Sequence, residues 1–128
     1  MCSSDLGMGT SGTLMGVSRR LKEYDPKIQI IGIEPFLGHK IQGLKNMKEA
    51  YKPGIYDKIQ LDKKINVKDE DAYEMARKIA KQEGIFVGMS SGAAMFGASK
   101  IIKGLKRGLV VVLFPDGGER YLSTNLFN

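Results

Sequence analysis

The sequence predicts an α/β fold on a parallel sheet, and three observations predict it. Stretches with helical apolar spacing alternate with short apolar runs along the chain. The strongest run, Leu109-Val110-Val111-Val112-Leu113-Phe114, lacks the in–out alternation of a half-solvated strand, which argues burial on both faces. Three Gly-containing turns, at 7–13, 88–92 and 115–121, fall where strands meet other elements. That is the edge of such a sheet where ligands gather. Right-handed crossovers are expected throughout.

Taken in order, residues 1–6 are mostly polar and read as a poor strand, foreign to the rest of the chain. Gly7-Met8-Gly9-Thr10-Ser11-Gly12-Thr13 is a loop. A helix comes next over residues 14–24, with Leu14, Val17, Leu21 and Tyr24 on one side, and Asp25-Pro26 closes it. Ile28-Gln29-Ile30-Ile31-Gly32-Ile33 reads as a buried strand ending at Glu34-Pro35. Residues 36–56 are irregular, punctuated by Gly38, Gly43, Pro53 and Gly54, and a connection this long is functional or covers something. Residues 57–61 read as a short strand. Asn66 is expected to cap a helix whose first turn is acidic (Asp69, Glu70, Asp71) and whose apolar face is Ala72, Met75, Ala76, Ile79 and Ala80. Gly84 ends it. Ile85-Phe86-Val87 is a very short apolar run. Gly88-Met89-Ser90-Ser91-Gly92 then opens a helix with Ala94, Met95, Ala98, Ile101, Ile102 and Leu105 inward, stopped between Gly104 and Gly108.

With 128 residues the chain can build one modest domain with a real core. Its net charge of +6 comes from lysines scattered over helix faces without interleaved aromatics, which reads as a solvated surface rather than a nucleic-acid interface. One Cys excludes a disulfide framework and a Cys-based metal site, and the single His39 has no partner at ligand spacing. His39 beside Lys40 reads as a surface pair, and the methionines as core filler. No apolar run approaches 18 residues and residues 1–20 carry no signal-peptide core, so a reducing cytoplasm is the expected compartment.

The Gly-rich loop at 7–13 is a candidate phosphate cradle. Free N–H groups and the helix dipole favour an anion there, and Thr10 and Thr13 add hydroxyl donors. No Lys-Ser/Thr follows its last Gly, which excludes a Walker-type loop. Two readings stay open at this level. Gly7, Gly9 and Gly12 with Glu34 after the next apolar run fit a loose dinucleotide fingerprint; alternatively the loop is a turn that binds nothing. In the second turn, Ser90 or Ser91 could simply cap a helix. In the third, Asp116, Glu119 and Arg120 read as a local ion-pair turn.

Five motifs together resemble the cysteine synthase family. They are Gly9-Thr10-Ser11-Gly12-Thr13, Gly32-Ile33-Glu34-Pro35, His39-Lys40-Ile41-Gln42-Gly43-Leu44, Gly88-Met89-Ser90-Ser91-Gly92-Ala93-Ala94, and the stretch from Phe114-Pro115-Asp116-Gly117-Gly118-Glu119-Arg120-Tyr121 to Thr124. Gly43-Leu44-Lys45-Asn46-Met47 and Pro53-Gly54-Ile55-Tyr56-Asp57 resemble the B branch and its cystathionine β-synthase relatives. The resemblance implies a parallel three-layer α/β sheet, part of the large domain of the tryptophan synthase β-like fold (fold type II), over residues 7–128, with 1–6 a non-family segment. It implies pyridoxal 5'-phosphate as cofactor, its phosphate held by Gly9, Thr10, Ser11, Gly12 and Thr13 and its pyridine nitrogen by Ser90. Ser11 replaces a Gly of the family loop, and Gly117 a Ser of the family turn. Gly43 matches a loop near the substrate entrance, and residues 116–121 match support for the pyridine side. A neutral hydroxyl at the ring nitrogen makes a moderated electron sink, suited to β-elimination and replacement.

The implied reaction is β-replacement of O-acetyl-L-serine by sulfide, in a cytoplasmic homodimer. The family's Schiff-base lysine stands in a Pro-Ser-x-Ser-x-Lys motif, and its substrate carboxylate sits in a Ser-Gly-Asn loop. Neither occurs in these residues, so no catalytic residue is assigned, and the chain is expected to be an inactive fragment of a longer enzyme. The alternatives are a Rossmann-type NAD-binding dehydrogenase fragment, another fold type II enzyme such as cystathionine β-synthase, and a non-enzymatic binding module.

Overall fold

A computed structural model describes residues 2–7, 12–44, 46, 48 and 61–127, with the backbone alone over 2–6. In chain order the elements are β1 (Cys2–Gly7), α1 (Gly12–Tyr24), β2 (Gln29–Pro35), β3 (Lys63–Val67), α2 (Asp69–Glu83), α3 (Met89–Ile102), β4 (Leu109–Val112) and a short 3-10 helix, Gly118–Tyr121. The four strands form one sheet in the order β3-β2-β1-β4, and every pairing is parallel. All carboxyl ends therefore lie on one edge.

The segment read as a poor strand is a central one. Ser4 stands opposite Ile30 on one side and Val111 on the other. A ladder of backbone hydrogen bonds from two neighbours outweighs weak strand propensity at a central position.

The helices divide between the two faces. Ile30 packs with Leu14 and Met15 of α1, while Ile31 and Ile33 pack with Ala72, Ala76 and Ile79 of α2 and Met89 and Ala93 of α3. Successive side chains of a strand point to opposite faces, so α1 covers one face and α2 with α3 the other. Handedness explains this division. The crossover β1-α1-β2 moves one way across the sheet and β3-α2-α3-β4 moves the other, so with the same hand their helices fall on opposite faces.

Close packing of the second face depends on two glycines. A Cβ at Gly97 would stand 2.2 Å from Ile33 Cδ1, and one at Gly92 only 2.1 Å from the Ala72 carbonyl oxygen. Helix α3 thus touches the sheet through Gly97 and α2 through Gly92.

Several boundaries differ from expectation. Asn66 lies within β3, paired in register with Glu34, and α2 begins at Asp69 after an extended Lys68 with no side-chain cap. The sheet ladder claims the residue that local pattern assigns to the cap. Gly84 ends α2 with φ +68, as its position predicts. Helix α3 begins at Met89, so Ser90 and Ser91 lie in its first turn, and its N-cap is Gly88, again without a side-chain cap. The strand expected at 57–61 falls almost wholly outside the described residues. Strand β4 is exposed at Leu109 (60%) and Val111 (54%), against the expected burial on both faces. Among the described residues it is the last strand of the sheet, and only its α3 face is covered. The His39 Nδ1 accepts the Ile41 N–H at 3.2 Å, and the Lys40 N–H donates to Asp69 at 2.7 Å.

Candidate cofactor site at the carboxyl edge of the sheet

Strands β1 and β4 are neighbours, yet the chain leaves their carboxyl ends toward opposite faces. After β1 it runs to α1; after β4 it runs to the 3-10 helix, whose Tyr121 is buried in the core shared by α2 and α3. Such a divergence opens a crevice in an α/β sheet. The segment over residues 38–44 borders it. Gly7, at the end of β1, lies against Leu44, where a Cβ would come within 2.6 Å of Cδ2. Gly43 takes φ +84, in the left-handed region that suits glycine, and a Cβ there would lie 3.9 Å from Ser90 Oγ. The end of β1, the Gly43 turn and the start of α3 are thus contiguous.

At the start of α3, three hydroxyls converge on one carboxylate. Ser90 Oγ donates to Asp116 Oδ1 at 3.0 Å, Ser91 Oγ donates to the same oxygen at 2.8 Å, and the Tyr121 hydroxyl donates to Oδ2. Ser90, Ser91 and Tyr121 are all buried. The Gly88 N–H donates to the Asp116 carbonyl at 3.2 Å. Only glycine fits at 88, because a Cβ would stand 2.2 Å from Asp116 Oδ2 and 2.4 Å from Tyr121 Cε2. The turn is held from behind by the Gly118 N–H on the Phe86 carbonyl at 3.0 Å, by the Val87–Gly117 bridge, and by the Phe86 and Phe127 rings, 4.6 Å apart. First burial, and then the Asp116 carboxylate, push the Tyr121 phenol up to about 12, although the Arg120 charge opposes them.

The expected ion-pair turn is therefore a hydroxyl cluster. Asp116 faces Ser90, Ser91 and Tyr121 rather than Arg120. The sequence placed this turn beside Ser90 but missed the cluster. The available signal was a glycine two residues before a pair of serines at a helix start.

Gly12 and Thr13 open α1, both exposed, ahead of the buried Leu14 and Met15. No acidic residue occupies the first turn of α1, so its N-terminal dipole is free to favour an anion. Gly9, Thr10 and Ser11 lie outside the described residues. Glu34 is not placed to bind a ribose. Its carboxylate is buried within β2 and pairs with Lys64 Nζ of β3 at 2.6 Å. The dinucleotide reading loses its acidic residue. Among the described residues, no group of three or more His, Cys, Asp and Glu could hold a metal ion, and no helix is long and apolar enough to cross a membrane.

Comparison with known proteins decides the family. The model for pyridoxal-phosphate dependent enzymes matches residues 6–116. The chain belongs to this family. It is 50% identical over 127 residues to a cysteine synthase of Aquifex aeolicus, covering 95% of this chain and 39% of that protein. It is 39% identical over 121 residues to cysteine synthase B of Pseudomonas aeruginosa, covering 94% and 40%. Among solved structures, isoform 3 of O-acetyl serine sulfhydrylase from Entamoeba histolytica superposes with a TM-score of 0.91 at 33% identity, covering 99% of this chain and 41% of that one. The chain thus spans about two-fifths of the length of these relatives, and its fold is part of a type II pyridoxal-phosphate domain. The residues in place fit the cofactor. A buried hydroxyl stands at the start of α3, a helix terminus without acid stands at the start of α1, and the Gly43 turn borders Ser90 without a side chain.

Proposed function

We propose that the whole protein is a pyridoxal-phosphate-dependent cysteine synthase, replacing the acetoxy group of O-acetyl-L-serine with sulfide to give L-cysteine, as a homodimer in the cytoplasm. These residues supply its phosphate and pyridine side. The imine-forming lysine and the substrate carboxylate clamp come from sequence outside the 128 residues, and this stretch alone is inactive. Bound here, the cofactor supplies the electron sink for β-replacement.

The single observation behind this reading is the Ser90 hydroxyl, buried at the N-terminus of α3 and bordering the Gly43 turn. A hydroxyl offers the ring nitrogen a hydrogen bond without a charge, so it does not hold that nitrogen protonated as a carboxylate would. The sink stays moderate, which favours loss of a β-substituent. Backbone N–H groups of Gly9, Thr10, Ser11 and Gly12, with the hydroxyls of Thr10 and Thr13, hold the phosphate at the α1 terminus. The closeness of the chain to the Aquifex and Pseudomonas enzymes supports the cysteine-forming branch.

The test is a double substitution, Thr10→Val with Thr13→Val. A ligand at a hundred times its dissociation constant raises the stability of an intact site by about 2.7 kcal/mol. Pyridoxal phosphate and inorganic phosphate should each raise the melting temperature of the parent protein and leave that of the double variant unchanged. Equal stabilisation of both proteins refutes the cradle. Failure of the intact protein to form cysteine from O-acetyl-L-serine and sulfide refutes the reaction.

A further inference from the structure

We propose that Asp116 is a positioning residue for Ser90, fixing its hydroxyl beside Gly43 while leaving its O–H free to turn and donate a hydrogen bond to the cofactor's ring nitrogen, the proton staying on the serine oxygen. The inference rests on the role given to Ser90 above. An ionised carboxylate accepts hydrogen bonds and donates none. Asp116 Oδ1 receives Ser90 and Ser91, and Oδ2 receives Tyr121. Ser91 is fully buried, and both acceptors it reaches belong to Asp116: Oδ1 at 2.8 Å and the carbonyl at 3.3 Å. Tyr121 is buried too. These two bonds are bound to persist, and between them they orient the carboxylate.

Ser90 makes the longer bond to Oδ1, 3.0 Å, and it alone of the three lies against Gly43. When its proton turns toward an acceptor in the crevice, Ser91 still serves Oδ1 and Tyr121 still serves Oδ2. No buried acceptor is orphaned, so exchanging one partner for the other costs little. The cluster thus holds Ser90 in a rotamer that serves both states. The absence of a Cβ at Gly88 is what lets the carboxylate reach this position.

The experiment is a double-mutant cycle in the intact protein, comparing Ser90→Ala, Asp116→Ala and the pair. Each apoprotein is titrated with pyridoxal phosphate, the absorption spectrum of the bound cofactor is recorded, and the urea midpoint of the apoprotein is measured separately. Ser90→Ala should weaken cofactor binding about tenfold, the size of one lost hydrogen bond. Asp116→Ala should match it, shift the spectrum in the same direction, and add nothing further in the double variant. Additive losses, about a hundredfold in the pair, mean that Asp116 acts independently and overturn the proposal. So does a lowered urea midpoint with wild-type affinity, which is the result of a merely structural carboxylate. If Asp116→Ala fails to fold, Asp116→Asn replaces it under the same criteria, since its amide removes one of the acceptors the three hydroxyls need. Unchanged affinity and spectrum in Ser90→Ala would sink the assignment of Ser90 itself, an outcome distinct from additivity.

Discussion

The phenol of Tyr121 shows how one proton ties the turn to the helix. An unfolded tyrosine ionises near 10, whereas here burial and then the Asp116 carboxylate hold the proton to about 12. The folded state therefore binds the proton more tightly. The stability this provides is complete below pH 10 and is lost as pH rises from 10 to about 12, because the unfolded chain ionises first. Tyr121→Phe removes the hydroxyl and leaves Asp116 one donor short. Urea titrations at pH 8 should show a loss of about 1.5–3 kcal/mol, the usual range for a hydrogen bond to a charged group. Repeated between pH 10 and 12, they should show a shallower decline than the parent, since one raised tyrosine is gone. Tyr73, also raised by burial and by Asp69, remains in the variant and accounts for residual slope. An identical decline in both proteins would contradict the assignment. The glycine-rich turns that open α1 and α3 were legible in the sequence because such motifs are local. The bonds of Ser90, Ser91 and Tyr121 to Asp116 were not. Both serine bonds span more than twenty residues and exist only once α3 is docked against the turn.

At the scale of elements, legibility followed the range of the forces. Helices α1 and α2 were readable because a 3.6-residue period needs only the chain's own neighbours. Strand β1 was not, because its partners are residues 29–33 and 109–112. Asn66 was misread as a cap because the opposing β2 strand, absent from any local pattern, recruits it into the sheet. Glycines make the same point energetically. Gly16 and Gly92 both sit inside helices, where glycine costs about 1 kcal/mol relative to alanine. A Cβ at Gly16 meets nothing within 4 Å, so Gly16→Ala should stabilise the protein by about 0.5–1 kcal/mol. At Gly92 the new methyl would lie 2.1 Å from the Ala72 carbonyl oxygen and 3.0 Å from the Ala76 backbone nitrogen. Backbone does not yield as a flexible side chain does, and overpacking of this kind costs about 1–3 kcal/mol. The clash exceeds the propensity gain, so Gly92→Ala should lower the urea midpoint. It should also displace the first turn of α3, which carries Ser90. Midpoints shifting in the same direction for both variants would show that helix propensity, not the α2–α3 contact, governs position 92.

For the whole molecule the telling feature is the face of β4 that no helix among the described residues covers. Phe114 packs with the α2 and α3 core, so by alternation Leu109, Val111 and Leu113 point to the opposite face of the sheet. That is the side of α1, whose buried residues Leu14 and Met15 pack with Ile30 of β2. Helix α1 therefore lies over the β2 side, and Leu109, Val111 and Leu113 stay 60%, 54% and 41% exposed. The continuous apolar run thus has burial on one face only, and the expected doubly covered strand is not seen because no second layer lies over it among the described residues. Adjacent exposed aliphatic side chains on the last strand of a sheet invite association, since both apolar surface and strand edge are offered to another chain. A net charge of +6 opposes this only at low salt. The 128-residue chain should therefore self-associate as its concentration and the salt rise. Leu109→Lys with Val111→Lys should abolish the association, because both side chains already stand in water and a charge on an edge strand blocks pairing. Its effect on the urea midpoint should stay within the roughly 0.5 kcal/mol usual for exposed positions. Sedimentation velocity at low and high salt separates the outcomes. A parent chain that remains monomeric throughout, or a double variant that unfolds, would show that this face is already covered.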